Sequence, residues 1–181
     1  MALRSVEILI AEHRAVEKAL QELEGWIDDF STNSEVSDAA KQALGNLSDF
    51  LSRDLALHIR KEEEALFPAL EQFLPREEGP LAVMFHEHGE ITGENQALRE
   101  GVAGLDQHAS SAGQAATQIR EHGRSLIQEL RSHLFKEERV LFPFAEARLG
   151  EKKDREIVEK FEALASNPGG CTPRLARPTT P

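Results

Sequence analysis

Two stretches of this chain carry residue types able to hold a metal, and they are copies of one another. The segment Leu57-His58-Ile59-Arg60-Lys61-Glu62-Glu63-Glu64-Ala65-Leu66-Phe67-Pro68 returns 75 positions later as Ser132-His133-Leu134-Phe135-Lys136-Glu137-Glu138-Arg139-Val140-Leu141-Phe142-Pro143. The same shift carries Glu12-His13 onto Glu87-His88, Val16 onto Ile91 and Leu23 onto Leu98. In both halves 45 positions separate the lone histidine from the histidine of His-x-x-x-Glu. An internal duplication that keeps two histidines and a glutamate in register over such a distance points to one shared task.

In an α-helix, residues i and i+4 lie on one face about 6 Å apart, so His58 with Glu62, and His133 with Glu137, can each reach one centre. Their phase matters more. His58 lines up with Leu47, Leu51, Leu55 and Leu66, and His133 with Leu126, Leu130 and Leu141. His13 lines up with Leu9, Val16 and Leu20, and His88 with Met84, Ile91 and Leu98. These are the apolar stripes that must face a core, and polar groups on such a stripe are costly unless paired or metal-bound. Four imidazoles and two carboxylates turned inward need a common partner. Imidazole and carboxylate without thiolate suit iron, manganese or zinc. Six ligands overfill one tetrahedral site, and carboxylates can bridge, so two ions fit better than one.

The elements that must position these residues follow from the hydrophobic spacing. Helices are expected over about Ser5 to Phe30, Val36 to Phe73, Pro80 to Glu100 and Gln114 to Arg148, with a shorter amphipathic helix from Glu151 to Ala165. Pro68 and Pro143 fall inside the second and fourth helices and should kink them. The polar stretch from Asp28 to Asp38, and the run containing Gly101, Gly104, Ser110, Ser111 and Gly113, read as loops. The expected architecture is all-α: an up-down-up-down four-helix bundle over 1–150, a fifth helix over 151–165 and a disordered Pro/Thr tail over 166–181.

Composition narrows the function classes. Tyr is absent, β-branched residues are sparse, and the formal charge of −11 argues against nucleic acid or an anionic membrane as partner. No apolar run approaches the roughly 20 residues of a membrane span, and no charged-then-apolar leader opens the sequence, so a cytoplasmic protein is expected. The lone Cys171 excludes an intrachain disulfide and any multi-thiolate metal site.

The lone histidine followed by His-x-x-x-Glu-Glu and Leu-Phe-Pro, given twice, resembles the hemerythrin-like domain, also called the HHE cation-binding domain, over about residues 5–148. The resemblance implies an antiparallel bundle around a non-haem di-iron centre, oxo- or hydroxo-bridged and spanned by two carboxylates, in which manganese or zinc could replace iron. Carried over by position, its ligands would be His13, His58, Glu62, His88, His133 and Glu137. Two departures separate the chain from oxygen-carrying hemerythrins. Met84 and Thr92 stand where those have His-x-x-x-His on the third helix, and their closing His-x-x-x-x-Asp is here His133 with Glu137 at i+4 and Glu138 at i+5. These departures resemble the bacterial and regulatory HHE branch, with fewer histidines and an open coordination position.

Several neighbours stay ambiguous at this level. His86 competes with His88, and the repeat favours His88 because His86 corresponds to Ala11. Glu63 and Glu138 could stand in as ligands. Glu12 and Glu87 recur beside the lone histidines, which suits either orienting an imidazole or plain solvation. Phe67 and Phe142 would plug the metal end of the bundle, Trp26 suits a core or an interface, and His122 lies about 16 Å along the helix from His133. His108 reads as a loop residue and Cys171 as incidental.

The functional expectation is a di-iron protein binding or sensing oxygen, nitric oxide or peroxide. The alternatives are an oxidoreductase turning over peroxide or nitric oxide or assisting iron–sulfur repair, and an iron-handling module that contacts a protein partner or a second copy of itself. Repair relatives carry a cysteine-bearing N-terminal segment absent here, which weighs against repair. Glu-x-x-His in each half, needed by ferritin-like sites, is absent.

Overall fold

The computed structural model describes residues 2–32, 37–105 and 112–167, and these fold into helices without strands. Four antiparallel arms form the bundle. The first is α1 (Arg4–Thr32). The second joins α2 (Asp38–Phe50), α3 (Ala56–Lys61) and α4 (Phe67–Leu70) through π-helical turns at Leu51–Leu55 and Glu62–Leu66. The third is α5 (Gly79–Gly104), and the fourth joins α6 (Ala112–Lys136) to α7 (Phe142–Arg148) through a π-helical turn at Glu137–Leu141. A last helix, α8 (Glu151–Ser166), returns along the outside. No helix among the described residues is long and apolar enough to cross a membrane.

Each of the two prolines sits just past a wider turn of helix. A proline inside a helix lacks an N–H, and its ring crowds the carbonyl four residues back. Here each Phe-Pro pair follows a π-helical turn whose extra residue moves that carbonyl away, with the Phe67 N–H donating to the Glu62 carbonyl and the Phe142 N–H to that of Glu137. The arms therefore continue past Pro68 and Pro143, and both π turns begin on the paired glutamates.

Other boundaries also moved. The Asp28 to Asp38 loop starts later, because α1 runs on to Thr32; low helix propensity in Asp, Ser and Thr is only a weak bias once a long helix is docked. Ser37 caps α2, its hydroxyl accepting from the Ala40 N–H at 3.2 Å. Gly101 and Gly104, expected in a loop, lie inside α5. A Cβ at Gly101 would stand 3.2 Å from side-chain atoms of Gln118 and Ile119, and one at Gly104 would stand 3.2 Å from the Ala115 Cβ. These glycines let α5 and α6 approach closely. The loop positions 106–111, with His108, and the tail from 168 onward, with Cys171, lie outside the described residues.

The core is split into two apolar blocks. One gathers Val16, Leu20, Leu23, Leu44, Leu51, Leu55, Ile91, Leu98, Leu126 and Leu130, with Trp26 packed on its edge. The other gathers Leu3, Val6, Leu9, Leu66, Phe67, Leu70, Met84, Leu141, Phe142, Ile157 and Phe161. Each arm passes from one block to the other through a buried histidine: Leu9–His13–Val16, Leu55–His58–Leu66, Met84–His88–Ile91 and Leu130–His133–Leu141. The bundle thus encloses a polar layer between two apolar ones.

The last helix belongs to this packing through Ile157 and Phe161, and through one polar contact. The buried carboxylate of Asp154 accepts from the backbone N–H groups of Arg4 (2.8 Å) and Ser5 (3.0 Å) and from the Ser5 hydroxyl (2.5 Å). It satisfies orphan donors at the start of α1 and places a negative charge at the positive end of that helix. Asp154→Ala is expected to lower stability by about 1–3 kcal/mol while leaving helix content intact, as measured by chemical denaturation. An unchanged midpoint would show that water serves the α1 terminus equally well.

Candidate metal centre

Six side chains meet in the polar layer: His13 from α1, His58 from α3, His88 from α5, His133 from α6, and Glu62 and Glu137 from the first residues of the two π turns. Each is at most 2 % exposed. They fall into two groups of four, His13/His58/Glu62/Glu137 and His88/His133/Glu62/Glu137. Within each group one ligand atom per residue lies within 4.8 Å of all the others. The two carboxylates are common to both groups.

The arrangement of atoms is specific. Glu62 Oε1 stands 3.4 Å from His58 Nε2, and its other oxygen, Oε2, stands 3.3 Å from His88 Nε2. Glu137 Oε2 stands 3.3 Å from His13 Nε2 and 3.5 Å from His133 Nε2. The Nε2 atoms of His88 and His133 face one another at 3.1 Å. Yet His13 Nε2, His58 Nε2 and all four oxygens of Glu62 and Glu137 are buried without a hydrogen-bond partner. Buried polar atoms left unpaired cost of order 1–3 kcal/mol each, and here they converge on one layer. That is the signature of a set completed by a cation, and the donor types fit iron, manganese or zinc.

Each imidazole is gripped from behind by a second glutamate on another arm. His58 Nδ1 pairs with Glu12 (3.0 Å), His133 Nδ1 with Glu87 (3.0 Å), His88 Nδ1 with Glu63 (2.8 Å) and His13 Nδ1 with Glu138 (3.0 Å). A carboxylate on Nδ1 makes it the protonated nitrogen, so the Nε2 lone pair is turned into the layer. The ammonium groups of Lys61 and Lys136 bond to Glu12 and Glu87 in turn. These contacts resolve the ambiguous glutamates. Glu63 and Glu138 hold imidazoles instead of joining the groups of four, and Glu12 and Glu87 hold the histidine of the next arm rather than the one beside them. Spacing within one helix could not reveal this, since every such pair crosses a seam between arms.

The remaining residues take simpler places. His86 is exposed, with Nε2 3.4 Å from Glu90. His122 pairs with Glu94 at 2.9 Å, away from the layer. Met84 is buried in the apolar block, and the Thr92 hydroxyl donates to the His88 carbonyl at 2.7 Å, so neither enters the layer. Phe142 stacks on His13 at a centroid distance of 5.3 Å, and Phe67 on His88 at 5.6 Å, closing one end of the layer.

A paired cation-binding layer repeated in both halves is what a family comparison can test. The family model of the hemerythrin HHE cation-binding domain matches residues 4–94 and 90–167. The chain belongs to the hemerythrin HHE family. The first match contains His13, His58, Glu62 and His88, and the second contains His133 and Glu137. No curated protein matches the chain. Membership makes this HHE chain a cation-binding protein, and its buried His/Glu groups are where a cation could be held.

Without metal, protons must supply the positive charge of the layer. Burial alone would push His88 down, but its 3.3 Å contact with the Glu62 carboxylate, its hydrogen bond to Glu63 and the charge of Glu62 raise it to about 10. Burial likewise opposes the shift at His58, and the charge of Glu62 and the Glu12 hydrogen bond outweigh it to hold that group above its ordinary value. Glu137 is lowered to about 2 against its burial, by the charge of His133 and its contacts with the other imidazoles. Glu12 and Glu87 are also lowered, since hydrogen bonds to histidine and lysine overcome the burial that would raise them.

Two outcomes are expected. The raised value at His88 stabilises the folded metal-free protein fully below its ordinary 6.5, and that stabilisation is lost as pH rises through about 10. The lowered value at Glu137 stabilises it above the ordinary 4.5 and is lost as pH falls through about 2. Urea midpoints of chelator-treated protein should therefore form a plateau between those ordinary values and decline on both sides. A midpoint that climbs from neutral pH toward 10 would contradict the charged layer. Separately, Glu12→Ala or Glu63→Ala should weaken metal affinity about 10–100-fold in a competition titration, whereas His86→Ala should leave it unchanged.

Proposed function

We propose that this chain is a di-iron protein that binds or senses a small ligand such as oxygen, nitric oxide or peroxide. One ion would be held in each group of four, with Glu62 and Glu137 shared between them. The observation that carries this reading is the division of Glu62, whose two oxygens face histidines of opposite groups. A single ion has no use for that geometry, whereas a bridging carboxylate requires it. Each group offers two nitrogens and two carboxylate oxygens, which leaves free positions on an ion that favours six-coordination. Iron bound there would supply Lewis-acid and one-electron chemistry.

The surrounding residues support binding over turnover. Glu12, Glu63, Glu87 and Glu138 are each committed to an imidazole, and Lys61 and Lys136 to Glu12 and Glu87. These titratable groups orient ligands instead of serving as proton donors to a guest. Phe67 and Phe142 exclude water from one side.

The test is metal content with optical spectra of protein from iron-replete cells, oxidised, reduced, and exposed in turn to oxygen, nitric oxide and peroxide. Two irons per chain, one for each group, and a stable adduct with one ligand are expected. Glu137→Ala should lose both irons and His86→Ala neither. One zinc per chain, or no metal in a folded protein, would sink the di-iron reading. Sustained consumption of peroxide or nitric oxide would replace the binder with an oxidoreductase.

A further inference from the structure

The duplication allows the four seams between arms to be compared in pairs, and one pair differs in a surface clamp. The seam between α5 and the second arm is related by the 75-residue shift to the seam between α1 and the fourth arm. In the latter, Arg131 lies across the surface: Nη2 is 3.1 Å from Glu17 Oε1 and 3.0 Å from Glu24 Oε2, and Nη1 is 3.2 Å from Glu24 Oε1. Beneath this clamp Leu20, Leu130 and Leu134 are buried. In the former seam the position of Arg131 is Ala56, that of Glu17 is Thr92, that of Glu24 is Arg99 and that of Leu20 is Asn95. No clamp can form from those residues, and a cavity of about 140 Å³ takes its place.

The cavity is lined by Leu55, Ala56, Ile59, Thr92, Asn95 and Arg99, among others. It shares Ser52, Ala56 and Arg99 with a wider surface depression of about 610 Å³; a comparable depression of about 550 Å³ lies beside Arg131 in the clamped seam. Its inner wall is the pair of helical turns that carry two of the histidines. Leu55 and Ile59 flank His58 within one turn, and the Thr92 hydroxyl is bonded to the His88 carbonyl. Asn95 donates from Nδ2 to the Leu51 carbonyl at 3.3 Å, while its Oδ1 is buried without a partner. An unpaired acceptor where the sister seam has leucine suits a passage that admits polar guests. The space is large enough to admit water or a ligand of two or three heavy atoms.

We propose that this groove, past Ala56, Asn95 and Thr92, is the route by which a small neutral or singly anionic ligand reaches the centre, and that Arg131 closes the sister route. The inference rests on the metal-centre reading above. The opposite end of the layer is shut by Phe67 and Phe142 stacked on His88 and His13. By this route the two halves of a two-fold ligand set meet an incoming molecule unequally.

The probe is azide, followed by stopped-flow absorption on iron-loaded protein. Transplanting the clamp as Ala56→Arg/Thr92→Glu/Arg99→Glu should slow azide association by about tenfold or more. Iron content, the azide-free spectrum and the equilibrium Kd should stay unchanged, because a route alters both directions equally. Ala56→Cys in a Cys171→Ser background gives a second arm, in which a bulky maleimide is attached after folding and iron loading and azide association is compared before and after. Arg131→Ala should leave association as fast or faster. Full iron content with unchanged azide rates in both the clamped and the labelled protein would overturn the route while leaving the di-iron reading standing. A chain purified without iron is loaded with cobalt(II), whose visible bands report azide in the same way. Failure to hold either metal would overturn the reading beneath and the route with it.

Discussion

The structure turns on a debt of burial: six polar side chains occupy a layer that water does not reach, inside a bundle otherwise packed with leucine. An isolated carboxylate or imidazolium in such a place is strongly disfavoured. Two carboxylates can be tolerated there only because positive charge is supplied between them, by metal or, without it, by protonated imidazoles such as the strongly basic His88. The apolar blocks on either side keep water out and so strengthen every interaction in the layer. Helix packing and cation binding are therefore one problem here, and the histidines that interrupt the four core stripes are where it is solved.

The braces around the layer explain why duplication suits this design. Each arm presents its inward residue to the centre and lends a glutamate to the imidazole of a neighbour: Glu12 to His58, Glu63 to His88, Glu87 to His133, Glu138 to His13. The four arms are stitched in a ring, with no brace within a single helix. Either half of the chain alone would leave one of its two imidazoles unheld, His13 in the first and His88 in the second. The π turns at Glu62–Leu66 and Glu137–Leu141 serve the same end, since they accommodate the prolines and begin on the two shared glutamates.

Departures from two-fold symmetry are as informative as the symmetry. The last helix lies over one side only, where Phe161 sits 5.7 Å from the buried Lys61 ammonium, while the equivalent Lys136 is far more exposed. Arg131 bridges Glu17 and Glu24 across one seam, while a cavity lies beside Ala56 in its counterpart. The ligand layer has resisted divergence while its surroundings have not.

Much of this was legible in the order of residues. Histidines and glutamates in phase with leucine stripes, repeated at one interval, have few physical interpretations, and helical periodicity reports burial directly. The choice of His88 over His86 also came from phase and repeat, and the structure places the first in the layer and the second in solvent. What the sequence could not decide were relations across seams. Whether Glu63 would face the layer or the back of an imidazole depends on the π turn before Pro68, which ideal helical spacing does not reveal. Whether Gly101 and Gly104 ended a helix or let two helices touch depends on α6, far along the chain. Whether Glu12 met His13 or His58, and whether Arg131 found Glu17 and Glu24, depended on which arms are neighbours and at what height. Periodicity determines which face of a helix is buried; only the docking of one helix on another determines which atoms meet there.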